Sequence, residues 1–188
     1  MAVKARLLSA LIALLPLLPV SAAEMDHHHH HHHAMTLDRD GMVMNENTER
    51  LPQDCPEISG DIAIEVRVGT RYARPGLTFG FSAHEWRVPP CARLTVTLVN
   101  EDEVRHQWMV HGLPRYLYPQ GMFHLETSGG KQKTGTFIVP SDARTYLAHC
   151  DLSKHMEQGL KAQLVVGAGD GNLPGVPGIS ATRNPDHY

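Results

Sequence analysis

The residues with the clearest chemical potential are one cysteine and two histidines. Cys150 is followed five residues later by His155, and a further histidine, His106, lies well upstream. A thiolate and two imidazoles, completed by a weak axial ligand, form the geometry of electron-transfer copper sites. The thiolate is a soft donor that stabilises Cu(I), and imidazole suits both oxidation states. These three side chains are therefore the predicted ligands of one copper ion.

A second pair of histidines accompanies these ligands. His111 lies five residues after the first predicted histidine ligand, and His149 directly precedes the cysteine. Because side chains alternate across a strand, this pair points away from the first site and can converge on the other face. We therefore consider a second copper site at His111 and His149, with His84 or His124 as a third ligand. The alternative is that both are surface or hydrogen-bonded histidines.

Short strands are predicted to position these ligands. Apolar and polar residues alternate over residues 62–68, which is the period of a half-buried strand. The other predicted strands are residues 77–81, 94–99, 106–110, 134–139, 145–148 and 161–166. Residues 114–125 are less regular and are assigned to a loop or a short helix. Many short strands with few helical stretches indicate an all-β sandwich or barrel in a single domain.

The three cysteines divide into a pair and a single thiol. Cys55 and Cys91 lie in proline-flanked segments without an adjacent histidine, whereas Cys150 follows a histidine directly. Free thiols tend to pair in an oxidising compartment. We therefore expect a Cys55–Cys91 disulfide and an unpaired Cys150 kept as a metal ligand. The alternative is that the first two are simply buried thiols.

The N-terminal residues 1–23 have the parts of a secretory signal peptide. Lys4 and Arg6 precede an apolar run at residues 7–18, and small residues follow up to Ala23. The apolar run is shorter than the about 20 residues that cross a bilayer. We therefore expect export to the periplasm, with no membrane insertion once the signal peptide is removed.

Residues 24–54 are predicted to be a disordered tail rich in histidine and methionine. They hold almost no large apolar side chains, so they cannot bury enough surface to order themselves. Seven consecutive histidines occupy residues 27–33, with Met25 before them and Met35 after them. Two interpretations stay open: a purification tag placed after the signal peptide, or a natural metal-capture tail of imidazole and thioether ligands.

The folded domain is assigned to residues 55–167. Residues 168–188 are rich in glycine and proline and are assigned to a flexible C-terminal tail. The chain carries 17 Lys and Arg against 20 Asp and Glu, and loss of the signal peptide makes it more acidic. Because phosphate binding needs clustered basic residues, the composition argues against nucleic acid as a partner.

Over residues 60–166 the sequence resembles the cupredoxin family. The family's first histidine follows a strand that ends in asparagine, as His106 follows Asn100. Its cysteine and second histidine lie on the loop before the last strand, as Cys150 and His155 do. The resemblance implies a cupredoxin-like Greek-key β-sandwich or barrel that binds copper. With the signal peptide and the tail, it is closest to periplasmic copper-tolerance cupredoxins of the CopI type.

The axial position departs from the family's pattern. Cupredoxins with this loop usually place a methionine five residues after the second histidine, and Leu160 stands at that position. Met156 shares a face with Leu160 if the loop turns helically after His155. The axial position is therefore assigned to Met156, with Met109 and Met122 as more remote candidates. The alternative is that the apolar Leu160 occupies the position and leaves the copper three-coordinate.

Two families of copper enzymes resemble parts of this pattern. In copper nitrite reductases, the residue next to the cysteine ligand helps to build a second, catalytic copper site of type 2. The resemblance implies this role for His149 together with His111. Multicopper oxidases need a His-Cys-His sequence, whereas Asp151 follows Cys150 in this chain. That difference argues against a trinuclear cluster.

These features rank three functions. The first is copper tolerance and homeostasis, in which the domain binds, oxidises or passes on periplasmic copper, with a redox or copper-exporting protein as partner. The second is an electron-transfer shuttle. The third is a small copper enzyme, either a cuprous oxidase or similar to nitrite reductase. No catalytic residue is assigned.

Overall fold

The computed structural model describes residues 35–180 of the 188-residue chain. The predicted signal peptide, the histidine run and residues 181–188 lie outside the described residues. The strands are β1 (Met35–Asp38), β2 (Gly41–Met44), β3 (Asp61–Gly69), β4 (Gly80–Phe81), β5 (Glu85–Val88), β6 (Arg93–Asn100), β7 (His106–His111), β8 (Met122–Thr127), β9 (Gln132–Ile138), β10 (Thr145–His149) and β11 (Lys161–Val166). Two short 3-10 helices lie at Thr70–Tyr72 and Pro119–Gly121.

The strands form two sheets that pack face to face. The larger sheet has the order β1-β2-β8-β7-β10-β11-β5, and the smaller has the order β4-β3-β6-β9. The chain passes repeatedly from one sheet to the other, so that β6 and β9 of the smaller sheet alternate along the chain with β7–β8 and β10–β11 of the larger one. The predicted all-β, single-domain sandwich is confirmed.

Period-two alternation builds the core between the sheets. In β6, Leu94, Val96 and Leu98 are fully buried, and the residues between them are partly exposed. The larger sheet contributes Trp108 and Phe123, which are also fully buried. Each such side chain stabilises the fold by about 1.5–3 kcal/mol. Burial of these side chains on one face fixes the register of the strands that carry the predicted ligands.

Most of the predicted strands are present, with shifted ends, and four strands of the structure (β1, β2, β5 and β8) were not predicted. The predicted strand at residues 77–81 is reduced to Gly80–Phe81, while β5 was not predicted. The prediction of a loop or short helix over residues 114–125 is wrong at its end, where β8 begins at Met122. Its alternation is masked because the residues that point away from the core, such as His124, are buried too.

The prediction of a disordered tail over residues 24–54 is wrong for residues 35–54. β1 and β2 form an antiparallel hairpin, and β2 pairs with β8. Val43 is in the core, and the Asn45 side chain donates hydrogen bonds of 2.8 Å to the carbonyls of Pro119 and Met122. The edge of β8 orders this segment through backbone pairing and asparagine hydrogen bonds, which need few apolar residues. The remainder of the predicted tail lies outside the described residues.

The prediction of a flexible C-terminal tail is wrong for residues 168–180. Leu173 and Val176 are buried, and the Leu173 N–H donates a 2.9 Å hydrogen bond to Gln163 Oε1. The Lys161 ammonium also donates to the Pro174 carbonyl at 2.6 Å. The folded domain therefore extends over the described residues 35–180 rather than over residues 55–167.

The predicted disulfide is confirmed. Cys55 and Cys91 are bonded, with a Cα–Cα distance of 5.7 Å across a separation of 36 residues. The covalent link ties the segment before β3 to the start of β6. Cys150 is free and buried, as expected. Among the described residues, no helix is long and apolar enough to cross a membrane.

Two deletions test whether residues 35–54 belong to the domain. We expect removal of residues 24–54 to lower the free energy of unfolding by at least about 2 kcal/mol, because burial of Val43 alone contributes on that scale. Removal of residues 24–34 alone is the control and should leave the unfolding free energy unchanged. The measurement is denaturant unfolding of the two proteins. Equal stability of both would contradict the integrated hairpin.

Candidate metal centre

The three predicted ligands come together at one end of the larger sheet. His106 begins β7, Cys150 directly follows β10, and His155 lies on the loop that leads to β11. β7 and β10 are antiparallel neighbours, with His149 opposite Met109, so the chain that leaves β10 at Cys150 runs toward the start of β7. The ligand atoms of His106, Cys150 and His155 all lie within 4.8 Å of one another.

The separations of these donors fit a single metal ion. The Nδ1 atoms of His106 and His155 are 3.2 Å apart, and Cys150 Sγ is 3.6 Å from His155 Nδ1. Metal bonds of about 2.0 Å to nitrogen and 2.3 Å to sulfur place two ligands of one ion roughly 3–4 Å apart. A thiolate with two imidazoles is the donor set of trigonal copper sites. The residues present therefore fit copper.

A carboxylate determines which nitrogen of His106 faces the site. His106 Nε2 lies 2.9 Å from Asp102 Oδ2, so Nε2 carries the proton and Nδ1 keeps its lone pair for the metal. Burial alone would raise the pKa of Asp102, but hydrogen bonds from Thr70 and His106 hold it below its usual value. Asp102 is therefore an anion directly behind a metal ligand.

Asn100 holds the turn that carries this carboxylate. Its side-chain Nδ2 donates to the Val104 carbonyl at 2.7 Å and to the Ser128 carbonyl at 3.2 Å, and its Oδ1 accepts the Asp102 N–H at 3.0 Å. The residue is almost fully buried. The asparagine that precedes the first histidine thus shapes the turn between β6 and β7.

The thiol of Cys150 is fully buried. The backbone N–H of Cys150 donates a hydrogen bond to the Leu160 carbonyl at 3.1 Å. The backbone N–H of Asp151 donates a hydrogen bond to Gln107 Oε1 at 3.1 Å. Burial raises the pKa of the thiol to about 11, so it is protonated at neutral pH when no metal is bound. A metal must displace this proton, and metal affinity at Cys150 therefore falls as the pH is lowered.

The ligand loop is anchored to residues 78–79. The Gln158 carbonyl accepts the N–H groups of Thr78 and Phe79, both at 3.0 Å. Gly159 has φ of 121°, and a Cβ there would lie 2.2 Å from the Phe79 carbonyl oxygen, so only glycine fits. This close approach holds the ligand loop against residues 78–79.

Phe79 is a site residue that the sequence analysis missed. Its ring centroid lies 4.9 Å from that of His106 and 4.7 Å from that of His155. It therefore forms an aromatic wall beside both imidazoles. The only local signal was its membership of a predicted strand, because the contact joins segments far apart in the chain.

The axial assignment stays a prediction, with two candidates beside the site. Leu160 is fully buried in the core, and its N–H donates to the His155 carbonyl at 3.0 Å. Met156 is half-buried on the ligand loop. Met109 and Met122 alternate with core residues of β7 and β8, which places them on the opposite face of the sheet from Cys150.

The second histidine pair lies together on that opposite face. The rings of His111 and His149 are stacked, with centroids 4.9 Å apart. Burial lowers the pKa of each of His111, His124 and His149, which favours the neutral imidazole. Of the two further candidates, His84 contacts the Lys161 carbonyl through Nδ1 at 3.1 Å, whereas His124 Nε2 has no hydrogen-bond partner among the described residues.

No protein-family model matches the chain, and neither does any curated protein. Its structure is similar to that of auracyanin B, with a TM-score of 0.45 and 18% identity, over 65% of this chain and 99% of that one. Auracyanin from Roseiflexus castenholzii has a TM-score of 0.45 and 21% identity, over 58% and 98% of the two chains. A copper-containing nitrite reductase from Thermus scotoductus has a TM-score of 0.44 and 14% identity, over 63% of this chain and 35% of that one. The assignment of copper therefore depends on the three donors and their spacing.

Asp102 offers a test of the charge behind His106. We expect Asp102→Asn to raise the reduction potential of the bound copper, because a nearby negative charge stabilises Cu(II) more than Cu(I). The measurement is a redox titration followed by the visible absorption of the site. Glu101→Gln is the matched control, because the Glu101 carboxylate binds Arg67 and Arg71 rather than a metal ligand. A potential that is the same in both variants would argue against this role for Asp102.

Proposed function

We propose that the protein is a periplasmic cupredoxin of the CopI type that holds a type 1 copper and contributes to copper tolerance. The observation that carries the proposal is the free, fully buried thiol of Cys150 beside the Nδ1 atoms of His106 and His155. A thiol and two imidazoles whose donor atoms converge on one point match the ligand preference of copper.

Bound copper would supply one-electron chemistry between Cu(I) and Cu(II). The chain contributes a rigid and mostly dry site for it. Asp102 orients His106 through Nε2, and Phe79 covers both imidazoles. Leu160 closes the site from the core side through its backbone bonds to Cys150 and His155. A site held this firmly changes little between oxidation states, which favours fast electron exchange.

A role in copper handling is supported by the chain around the site. The Cys55–Cys91 disulfide fits an oxidising compartment such as the periplasm. The histidine run at residues 27–33 precedes a hairpin that carries Met35, Met42 and Met44. Imidazole and thioether groups bind copper in both oxidation states. Such a segment would supply further copper ligands beside the proposed centre's own residues in the sequence.

An electron-transfer shuttle is the second candidate, and the surface around His155 favours it. His155 is half-buried, and its neighbours Phe79, Leu152 and Met156 are partly exposed as well. An apolar rim around a ligand imidazole gives a redox partner a short route to the metal. This surface would serve a redox or copper-exporting partner in either function.

The visible and EPR spectra of the copper-loaded protein test the site itself. We expect intense visible absorption from the bond between copper and Cys150, and its loss in Cys150→Ser. If Met156 is the axial ligand, Met156→Ala changes the relative intensity of the two main bands, because that ratio follows axial-ligand strength. Met35→Ala, which removes an exposed methionine, is the control. A spectrum unchanged by Met156→Ala would exclude Met156 as the axial ligand and would favour a three-coordinate copper with the apolar Leu160 at the axial position.

Growth on copper separates tolerance from a shuttle. We expect deletion of the gene in its host to increase copper sensitivity, and the wild-type gene but not Cys150→Ser to restore growth. Unchanged sensitivity, together with rapid reduction of a redox partner by the purified protein, would favour the shuttle instead.

A further inference from the structure

The end of β3 lies against the turn that leads into the first histidine ligand. β3 runs parallel to β6, with Val68 opposite Asn100, so both strands end at the same edge of the smaller sheet. Thr70 begins a 3-10 helix directly after β3, and Asp102 follows two residues after the end of β6. The parallel register therefore brings Thr70 beside the carboxylate that bonds His106.

Thr70 binds this carboxylate with two groups. Its backbone N–H lies 2.9 Å from Asp102 Oδ1 and 3.1 Å from Oδ2, and its hydroxyl donates to Oδ1 at 3.1 Å. His106 Nε2 donates to Oδ2 at 2.9 Å. Thr70 and His106 thus share one carboxylate, with the threonine mainly on one oxygen and the ligand on the other.

The carboxylate is packed closely and is largely out of water. A Cβ at Gly69 would lie 3.1 Å from Asp102 Oδ1 and 3.4 Å from its Cγ, so the chain leaves room for the carboxylate and for little else. The side chain of Asp102 is 10% exposed, and that of His106 is fully buried. Because hydrogen bonds are stronger in such a poorly solvated environment, the donors on Asp102 act on one another through it.

Two donors on one carboxylate compete for its negative charge. A carboxylate behind a ligand imidazole raises the basicity of that ligand. The Thr70 hydroxyl draws charge toward Oδ1 through a charge-assisted hydrogen bond, so that Oδ2 accepts less strongly from His106. Thr70 thereby weakens the effect of Asp102 on His106. A less basic imidazole stabilises Cu(II) less, which corresponds to a higher reduction potential.

We propose that Thr70 is a positioning residue of the metal centre that sets its reduction potential through Asp102. The Thr70 N–H and hydroxyl fix the carboxylate behind His106 and moderate the charge that it passes to this ligand. The inference deepens the proposed function, because it rests on a type 1 copper at Cys150. Thr70 itself is not a ligand.

The hydroxyl can be removed without releasing the segment that carries it. Arg71 and Tyr72 both bond the Glu101 carboxylate at 3.0 Å, and the Thr70 N–H remains on Asp102. Valine keeps the branched shape of threonine. Thr70→Val therefore removes one donor from the carboxylate, whereas Thr70→Ser keeps it.

NMR of the metal-free mature chain tests the contact without copper. We expect Thr70→Val to move the His106 Nε2 proton downfield, because its hydrogen bond to Asp102 becomes stronger, and Thr70→Ser to keep the wild-type shift. Thr97→Val is the matched control, because the Thr97 hydroxyl bonds Thr134 at 2.9 Å and no carboxylate. A His106 signal that is the same in Thr70→Val and Thr97→Val would overturn the proposal.

The reduction potential of the copper-loaded protein gives the second readout. We expect Thr70→Val to lower the potential, Thr70→Ser to restore it, and Asp102→Asn to raise it. Opposite signs are decisive, because a general loosening of the site would shift Thr70→Val and Asp102→Asn in the same direction. Shifts of the same sign, or a potential in Thr70→Val equal to that of Thr97→Val, would contradict the proposal.

The proposed function and this inference fail separately. If the visible band of a bond between copper and Cys150 is absent but the His106 proton moves in Thr70→Val, the type 1 assignment is wrong and the action of Thr70 on His106 stands. If the band is present but neither the proton shift nor the potential distinguishes Thr70→Val from Thr97→Val, the type 1 site stands and the role of Thr70 is wrong.

Discussion

The antiparallel pairing of β7 with β10 determines the chemistry of both faces of the larger sheet. It directs the chain that leaves β10 toward the start of β7 and so places Cys150 near His106. Since side chains alternate along each strand, the same pairing brings His149 and His111 together on the other face. One backbone register thus builds the metal centre and the outer cluster at once. A slip by one residue would exchange the two sets.

The two faces differ in how their polar groups are satisfied. At the metal centre, Asn100 holds the turn, Asp102 bonds His106, and the free lone pairs converge on one point. On the outer face, one ring nitrogen of each of His111, His124 and His149 is buried without a partner in the part of the chain that the structure describes. Buried polar groups normally find hydrogen bonds.

Composition was misleading at both ends of the domain. The segment at residues 35–54 has few large apolar residues, yet β2 extends the sheet from β8 and Asn47 donates to the Tyr118 hydroxyl at 2.9 Å. Backbone pairing on an open strand edge can order a polar segment, because the ladder needs no particular side chains. The residues after β11 are ordered in a similar way by hydrogen bonds to Gln163 and Lys161.

The sequence by itself determined the donors and the local patterns. Ligand chemistry and thiol pairing depend on residue type, so they can be predicted from local sequence. This holds for the ligands Cys150 and His155 and for the pairing of Cys55 with Cys91. Most strands were readable because alternation is a local property. Only the tertiary structure decided that Phe79 covers the imidazoles, that Asp102 orients His106, and that His124 joins the outer histidines. These contacts depend on sheet register between distant segments, which no local pattern encodes.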